Sequence, residues 1–394
     1  MIKVALIIER SDIILGGAER SVFELSGHLS SLDIKPTILV AKGQMNADNI
    51  KILCADTSGK RTTLADFENA LRNHLAHNQY DIIHSTLPFS FANIYQPRGG
   101  SYPEAIIRNV DSFENKFISL YKLITHHVNR RRSALFKAEK QLCATSNHTI
   151  IAALSEYVRD QFRNHYNLPD KRIVVIPNGV KINKKVDFNQ ANKLRRQILA
   201  TLGIEESDRP VMFLFAANNF RLKGLGPLIK AVSALKEQRK SGPVYLVVAG
   251  SGSSKKYRRF ARKYGVSDRI AFLGRLRHIQ EALSVCNVAV LPTWYDPSSR
   301  YILEALAAGK PVITTRFNGA RELFTDNRHG IVIDKPNDIE NLAKAMRFYA
   351  EPANIRIATE AIVQDNLEDK VSITRHAESL VELYCSIMSG RRTK

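Results

Sequence analysis

Apolar runs of four to seven residues recur along the chain, and mixed segments with three- and four-residue apolar spacing separate them. Short unbroken apolar runs bounded by turn residues read as buried strands, and the three/four spacing reads as helix. The strands predicted in the first half are 2–8 (IKVALII), 36–41 (PTILVA), 50–54 (IKILC), 81–84 (DIIH), the run opening at 149 (TIIAA) and the last one within 172–180 (RIVVIPNGV). The second half repeats the series at 211–216 (VMFLFA), 244–252 (VYLVVAGSG), 269–279 (RIAFLGRLRHI), 288–291 (VAVL), 311–315 (PVITT) and 330–333 (GIVI). Helices are predicted between them: one carrying Val22, Phe23, Leu25 and Leu29, one over 64–76, one capped by Ser155, one behind Gly224, one at 255–263, one reading ILEALAAG, one over 336–349, and final helices to about 389. Strand and helix in alternation predict an α/β protein with parallel sheets. A chain of 394 residues holds two domains of ordinary size. Pro177 with Asn178-Gly179 supplies turn chemistry where the first series ends, and the polar segment 181–195 reads as a linker passing into helix.

One stretch concentrates the candidate chemistry. Residues 292–322 read strand end, Pro-containing loop, helix, Gly309 stop and strand. Ligands of parallel sheets sit at the carboxyl ends of strands, so the loop 292–298 faces a crevice. Ser298 or Ser299 is placed to cap the helix. The free N–H groups of Ser299, Arg300 and Tyr301 at its start suit an anion. Asp296 lies just before the helix, and Glu304 lies on it, with seven residues between the two acids. A ligand rich in hydroxyls could be held by both carboxylates while the amides take its negative part. Spacing alone leaves the other reading open, in which Asp296 caps a helix and Glu304 is solvated.

Other positions carry weaker signals. After VMFLFA come Arg221, Lys223 and Gly224, two cations at a helix start that can neutralise a diphosphate. Gly16-Gly17 between the first strand and first helix allows close approach of backbone to a ligand, or forms a simple turn. His84, at a strand end, reads as a satisfied structural histidine ahead of a substrate donor or base. Arg98 and Ser101 frame a small basic loop, read as an acceptor loop. Residues 112–141 read as helical and amphipathic, with Phe117, Leu120, Tyr121 and Ile124 on one stripe and Arg130, Arg131 and Arg132 among the charges. Such a segment either packs on a core or lies on an anionic membrane surface.

Charge sharpens the question of partners. Net charge is +20, with 22 basic and 17 acidic residues before position 177 and 36 and 21 from there on. KKYRRFARK at 255–263 and NRRR at 129–132 stand out. Anionic lipid, a phosphorylated acceptor and nucleic acid would each suit this balance. No zinc-finger spacing or RNA-recognition signature accompanies it, so no nucleic-acid partner is expected. No apolar run approaches the roughly 20 residues that span a bilayer. The first residues read as a strand and not as a signal peptide. Four scattered cysteines fit thiols in a reducing cytoplasm. No D-x-D pair occurs, so no metal bridging a bound diphosphate is indicated.

These residues resemble the retaining glycosyltransferases of the GT-B fold. Asp296 and Glu304 match that family's acid-x7-acid region, with Asp for the usual first Glu, and IPNGV at 176–180 matches its interdomain boundary. GGAE at 16–19 matches its GG-x-E pattern. The resemblance implies two Rossmann-like doubly wound domains facing across a cleft. The first is 1–178, an acceptor-binding domain joined by a helix of about 370–389 that crosses back. The second is 179–369 and binds a nucleotide-sugar. It implies that Asp296 contacts the transferred sugar, that the Ser298–Tyr301 region holds the donor, and that Glu304 binds the ribose. By the same likeness Lys223 and Arg221 meet the phosphates, Gly274, Arg275 and Leu276 surround the base, Gly250 joins the donor contacts, and Gly16 and Gly17 line the cleft. The shorter Asp296 bears on which sugar is donated. The reaction implied is metal-independent transfer of a hexose from a nucleotide diphosphate sugar, a uridine diphosphate sugar above all, with retention and front-face attack. The nucleotide-sugar is a substrate, so no cofactor is expected. The likeness extends to lipopolysaccharide-core glucosyltransferases, which with the basic charge implies an anionic glycan or glycolipid acceptor. The place expected is cytoplasmic, peripheral on the inner membrane face. A nucleotide-sugar epimerase of the same fold, and a basic nucleic-acid binder, are the alternatives.

Overall fold

The computed structural model describes the chain except residues 13–16, 44–46, 55–61, 126–128, 145, 183–185, 238–243 and 393–394. The chain divides into two units. The first holds Met1–Val110, Asn115–Lys181 and Ile373–Lys394, and the second holds Asp111–Glu114 and Ile182–Ser372.

The first unit runs β1 (Ile2–Arg10), α1 (Gly17–Ser30), β2 (Ile34–Lys42), β3 (Ile50–Ile52), α2 (Leu64–His77), β4 (Ile82–Ser85), β5 (Ile94–Tyr95), α3 (Tyr102–Asp111), α4 (Lys116–Thr125), α5 (Arg130–Leu142), β6 (Ile150–Ala153), α6 (Glu156–Tyr166) and β7 (Ile173–Val175). Its sheet is ordered β3-β2-β1-β4-β5-β6-β7, with every pairing parallel. A parallel sheet is covered on both faces, so its strands are apolar throughout rather than alternating. β1 shows why. Val4, Leu6 and Ile8 point to one face, where Val22, Leu25 and Leu29 of α1 pack. Ala5 and Ile7 point to the other, where Phe67 and Leu71 of α2 pack.

Residues 112–141 do not form the single element expected. Asn115 accepts hydrogen bonds from the Phe117 and Ile118 amides and starts α4. Asn129 accepts from the Arg132 amide and starts α5. Each asparagine supplies a cap, so two helices start where one was predicted. Their burial differs. α5 buries Leu135, Glu139 and Leu142, whereas α4 leaves Phe117, Leu120, Tyr121 and Ile124 at 85%, 56%, 62% and 68% exposed. The apolar stripe of α4 is therefore not a core stripe.

The second unit runs α7 (Phe188–Leu202), β8 (Val211–Ala216), α8 (Leu225–Glu237), β9 (Val244–Ala249), α9 (Ser254–Lys263), β10 (Ile270–Gly274), α10 (Gln280–Val285), β11 (Val288–Leu291), α11 (Arg300–Ala307), β12 (Val312–Thr315), β13 (Gly330–Ile333), α12 (Ile339–Phe348), α13 (Pro352–Gln364) and α14 (Leu367–Lys370). Its six parallel strands are ordered β10-β9-β8-β11-β12-β13. The order reverses between β8 and β11, which makes that gap the switch point of a doubly wound sheet. The last helix, α15 (Ile373–Arg392), returns to the first unit. Its Ile373, Ala377, Leu380 and Tyr384 complete the core on the α1 face of β1. The units change over at Lys181 and again at Ile373, where the sequence suggested 178 and about 370.

Candidate functional site

The candidate site lies at the carboxyl end of the second unit's sheet, where the loops after β8 and β11 meet. These loops touch backbone to backbone. The Trp294 amide donates to the Leu222 carbonyl at 2.9 Å. Gly224 has φ +83°, and a Cβ there would stand 1.9 Å from the Pro292 carbonyl oxygen. Only glycine allows that approach. It carries Lys223 to the opposite loop, 73 residues further on. The Lys223 ammonium donates to the Asp296 carboxylate at 2.6 Å and to the Tyr295 carbonyl at 2.9 Å. The two side chains keep 20% and 15% of their exposure. The pair is half-buried, close enough to hold and open enough to exchange for a ligand.

The loop bearing Asp296 is held by its neighbours. The Asp296 amide donates to the Phe317 carbonyl and the Asp296 carbonyl accepts from the Gly319 amide, both at 2.9 Å. The Thr293 hydroxyl accepts from the Tyr295 amide at 3.1 Å and donates to the Tyr295 carbonyl at 2.9 Å. Asp296 is thus no helix cap. Ser299 occupies the N-cap position of α11, but its hydroxyl makes no capping bond. The buried Asn318 side chain ties this turn to the strand beside it instead. Its carbonyl accepts from the Ser299 and Ala320 amides at 3.2 and 3.1 Å, and its amide donates to the Thr314 hydroxyl at 3.0 Å. The Ser299 N–H is therefore engaged within the fold. The buried Ser298 hydroxyl has no hydrogen-bond partner among the described residues. On α11, Arg300 reaches Glu304 at 3.4 Å, each side chain 11% exposed. The Tyr301 side chain turns into the sheet, donating to the Leu214 carbonyl, and burial pushes its phenol far up. Tyr301 can offer a ligand its backbone only.

Arg221 is not part of the lysine–aspartate pair. Its guanidinium stacks 3.8 Å above the Phe113 ring and bonds to the Ser112 hydroxyl, both on the short segment Asp111–Glu114. Burial lowers its basicity. The loops after β9 and β10 join the same sheet end. The Gly250 amide donates to the Gly274 carbonyl at 2.7 Å. Gly250 has φ +133°, and a Cβ there would collide with the Ala217 carbonyl. Gly274 and Arg275 are exposed and Leu276 is half-buried.

The residues proposed from the first half lie in the first unit. Gly17 opens α1 and is exposed, whereas Gly16 lies outside the described residues. Arg98 donates to the Ser21 hydroxyl at 2.7 Å and to Asn178 at 2.9 Å, tying the loop after β5 to α1 and to the IPNGV turn. Ser101 is fully buried. Its amide donates to Gln161 and its hydroxyl accepts from the Glu104 amide at the start of α3, so it is not displayed to an acceptor. His84 is structural. It bonds to the Tyr384 hydroxyl at 2.7 Å, and burial foremost, with the nearby Arg98 charge, lowers its pKa to about 3, which keeps it neutral. The residue the sequence missed is Asn318. Its signal was an Asn-Gly pair at a strand end, which reads equally well as an ordinary turn.

Comparison with known proteins gives both units a likeness. Residues 203–356 match the family described as glycosyl transferases group 1, and residues 15–184 match glycosyltransferase family 4. The chain is 24% identical over 294 residues to the lipopolysaccharide glucosyltransferase WaaG of Escherichia coli K12, which spans 75% of this chain and 74% of that protein. It is 29% identical to a D-inositol 3-phosphate glycosyltransferase of Nocardiopsis dassonvillei, over 56% of this chain and 52% of that one. Among solved structures, WaaG superposes with a TM-score of 0.75 at 19% identity, covering 97% of this chain and 99% of the other. Anabaena Alr3699/HepE, solved with UDP-glucose, superposes with a TM-score of 0.73 at 16% identity, covering 98% and 100%.

Proposed function

We propose that the chain is a glycosyltransferase of the GT-B fold with a group 1 domain in its second unit, and that it moves a hexose from a uridine diphosphate sugar, with retention, to a membrane-associated glycan or lipid such as a lipopolysaccharide core. The observation that carries this reading is the convergence of Lys223, Asp296 and the α11 start at one switch point. Without a donor, the lysine and the aspartate neutralise each other. A diphosphate takes over the lysine, and the Asp296 carboxylate is released to accept from sugar hydroxyls. The Arg300 and Tyr301 amides, at the positive end of the α11 dipole, take a share of the phosphate charge. Glu304, one turn into the helix, holds the ribose. The unpartnered Ser298 hydroxyl is a further contact for the donor.

In the transfer, the bond from the anomeric carbon to the diphosphate oxygen breaks as the bond to the acceptor oxygen forms on the same face. The departing phosphate oxygen takes the acceptor proton. The charge that grows on the diphosphate is met by Lys223 and the α11 amides, already in place before the reaction. The neutral, buried His84 is not required as a base.

The acceptor and the membrane rest on α4 and on charge. Phe117, Leu120, Tyr121 and Ile124 form an exposed apolar stripe on a helix that also carries Lys122. Monomeric proteins rarely leave such a stripe to water, and a lipid interface suits it. No described helix is long and apolar enough to cross a membrane, so the attachment proposed is peripheral. The test is a thermal-shift screen of nucleotide-sugars followed by product analysis with lipid-linked acceptors. A UDP-hexose that stabilises the protein and yields a glycosylated lipid with retained configuration is the expected result. Free, interconverted sugar, or no sugar turnover at all, would overturn the reading.

A further inference from the structure

The helix α9 reads SKKYRRFARK, six cations in ten residues with no acid. Lys255, Lys256, Arg258, Arg259, Arg262 and Lys263 are all exposed, and none forms an ion pair among the described residues. Nearby acids are engaged elsewhere: Glu114 with Lys230, and Asp268 with Lys236. This arrangement works against the helix itself. Lys255 and Lys256 stand in the first turn, where the dipole favours acids. Lys255 with Arg259, Arg258 with Arg262, and Arg259 with Lys263 are like charges four residues apart, each a destabilising spacing. The fold uses the Arg258 head against the Phe272 ring and carbonyl. It makes no comparable use of Lys255, Arg259, Arg262 and Lys263. Lys255, Lys256, Arg259 and Lys263 instead line one shallow surface depression beside Phe260.

We infer that the exposed face of α9 is an electrostatic docking surface for an anionic lipid bilayer, a second attachment in addition to α4. The inference rests on the membrane-surface reading above. The aromatic residues of α9 decide between lipid and nucleic acid. Binders of single strands present ring faces on which bases stack. Here Tyr257 is buried against Phe220, and Phe260 packs on Tyr264. The half-buried Phe260 ring is already engaged by Tyr264 and the Lys230 ammonium, so the outward face is dominated by charge, which fits a plane of phosphate headgroups. Such attraction is worth roughly fivefold in affinity per basic residue and is screened within a Debye length.

The experiment is co-sedimentation of the full chain with two kinds of vesicle, phosphatidylcholine alone and phosphatidylcholine mixed with phosphatidylglycerol. The triple variant Lys255→Gln, Arg259→Gln, Lys263→Gln is expected to bind the anionic vesicles roughly 100-fold more weakly. It should keep its binding to neutral vesicles and its circular dichroism. A separate variant, Phe117→Ser, Leu120→Ser, Ile124→Ser, should lose the neutral-vesicle binding. An α9 variant that holds anionic vesicles as the wild type does would overturn the inference and leave the α4 reading intact. Wild-type protein that ignores both vesicles would overturn both. Tighter binding to single-stranded RNA than to anionic vesicles would also overturn it, by making the face a nucleic-acid surface.

Discussion

Two charged sites, one in each unit, handle charge in opposite ways. At the β8/β11 switch point, acids and bases meet half-buried, as in Lys223 with Asp296 and Arg300 with Glu304. In the first unit, Glu139 is fully buried, held by the Tyr95 and Tyr166 hydroxyls and the Tyr102 amide at 2.9, 2.6 and 2.8 Å. Partial exposure lets a pair trade one partner for a ligand at little cost, because solvent stabilises the charges during the exchange. Full burial forbids it, since an uncompensated charge inside a protein costs several kcal/mol. A buried polar group of the Glu139 kind specifies a fold, and a half-buried pair of the Lys223 kind is available for chemistry.

The strongest way to break this contrast is to remove Lys223. Lys223→Ala should lower the transfer rate by roughly 100- to 1000-fold, the usual loss when a group that meets developing charge is deleted. Single-turnover kinetics would show it, and a wild-type rate would take Lys223 out of the site. The next effect belongs to the first unit. Burial, outweighing its hydrogen bonds, pushes Glu139 from an ordinary 4.5 up to about 7. Between those values the folded chain holds a proton that the unfolded chain has released. Stability from this group is therefore complete below about pH 4.5 and declines as pH rises to about 7, by about 3 kcal/mol in all. Denaturant unfolding across that range should show the decline, and Glu139→Gln should flatten it; an unaltered slope would make another group responsible. The smallest effect sharpens the line between the two kinds of residue inside the second unit. If the Arg221 stack on Phe113 is structural, Arg221→Ala costs about 1 kcal/mol of stability and leaves UDP affinity unchanged. Calorimetric binding that weakens as much as in Lys223→Ala would place Arg221 with the phosphates after all.

Much of this was legible in the sequence because burial on both faces leaves a plain mark. VMFLFA and VAVL could hardly be anything but covered strands, and the loops that follow them were expected to face a ligand because parallel sheets bind at their carboxyl ends. The placing of Lys223 and Asp296 at one ligand was implied by the family resemblance, and their direct ion pair was not expected. Three features were not legible. The role of Asn318 is a tertiary one, an amide reaching across 19 residues to the Ser299 N–H, and no local pattern announces it. The starts of α4 and α5 are set by Asn115 and Asn129, which a stripe of apolar residues overrode in the reading of 112–141. Ser101 sat in a Gly-rich, basic run that looks exposed, yet the Gln161 side chain and α3 enclose it. In each case the deciding contact joins residues that sequence spacing does not relate.

The most direct test of the donor site is calorimetric titration of UDP into the wild type and into Glu304→Ala. Loss of a hydrogen bond donated by the ribose to a charged carboxylate predicts affinity lower by roughly 10- to 100-fold in the variant. Equal affinity for UDP in the two proteins would contradict a nucleotide held at the start of α11.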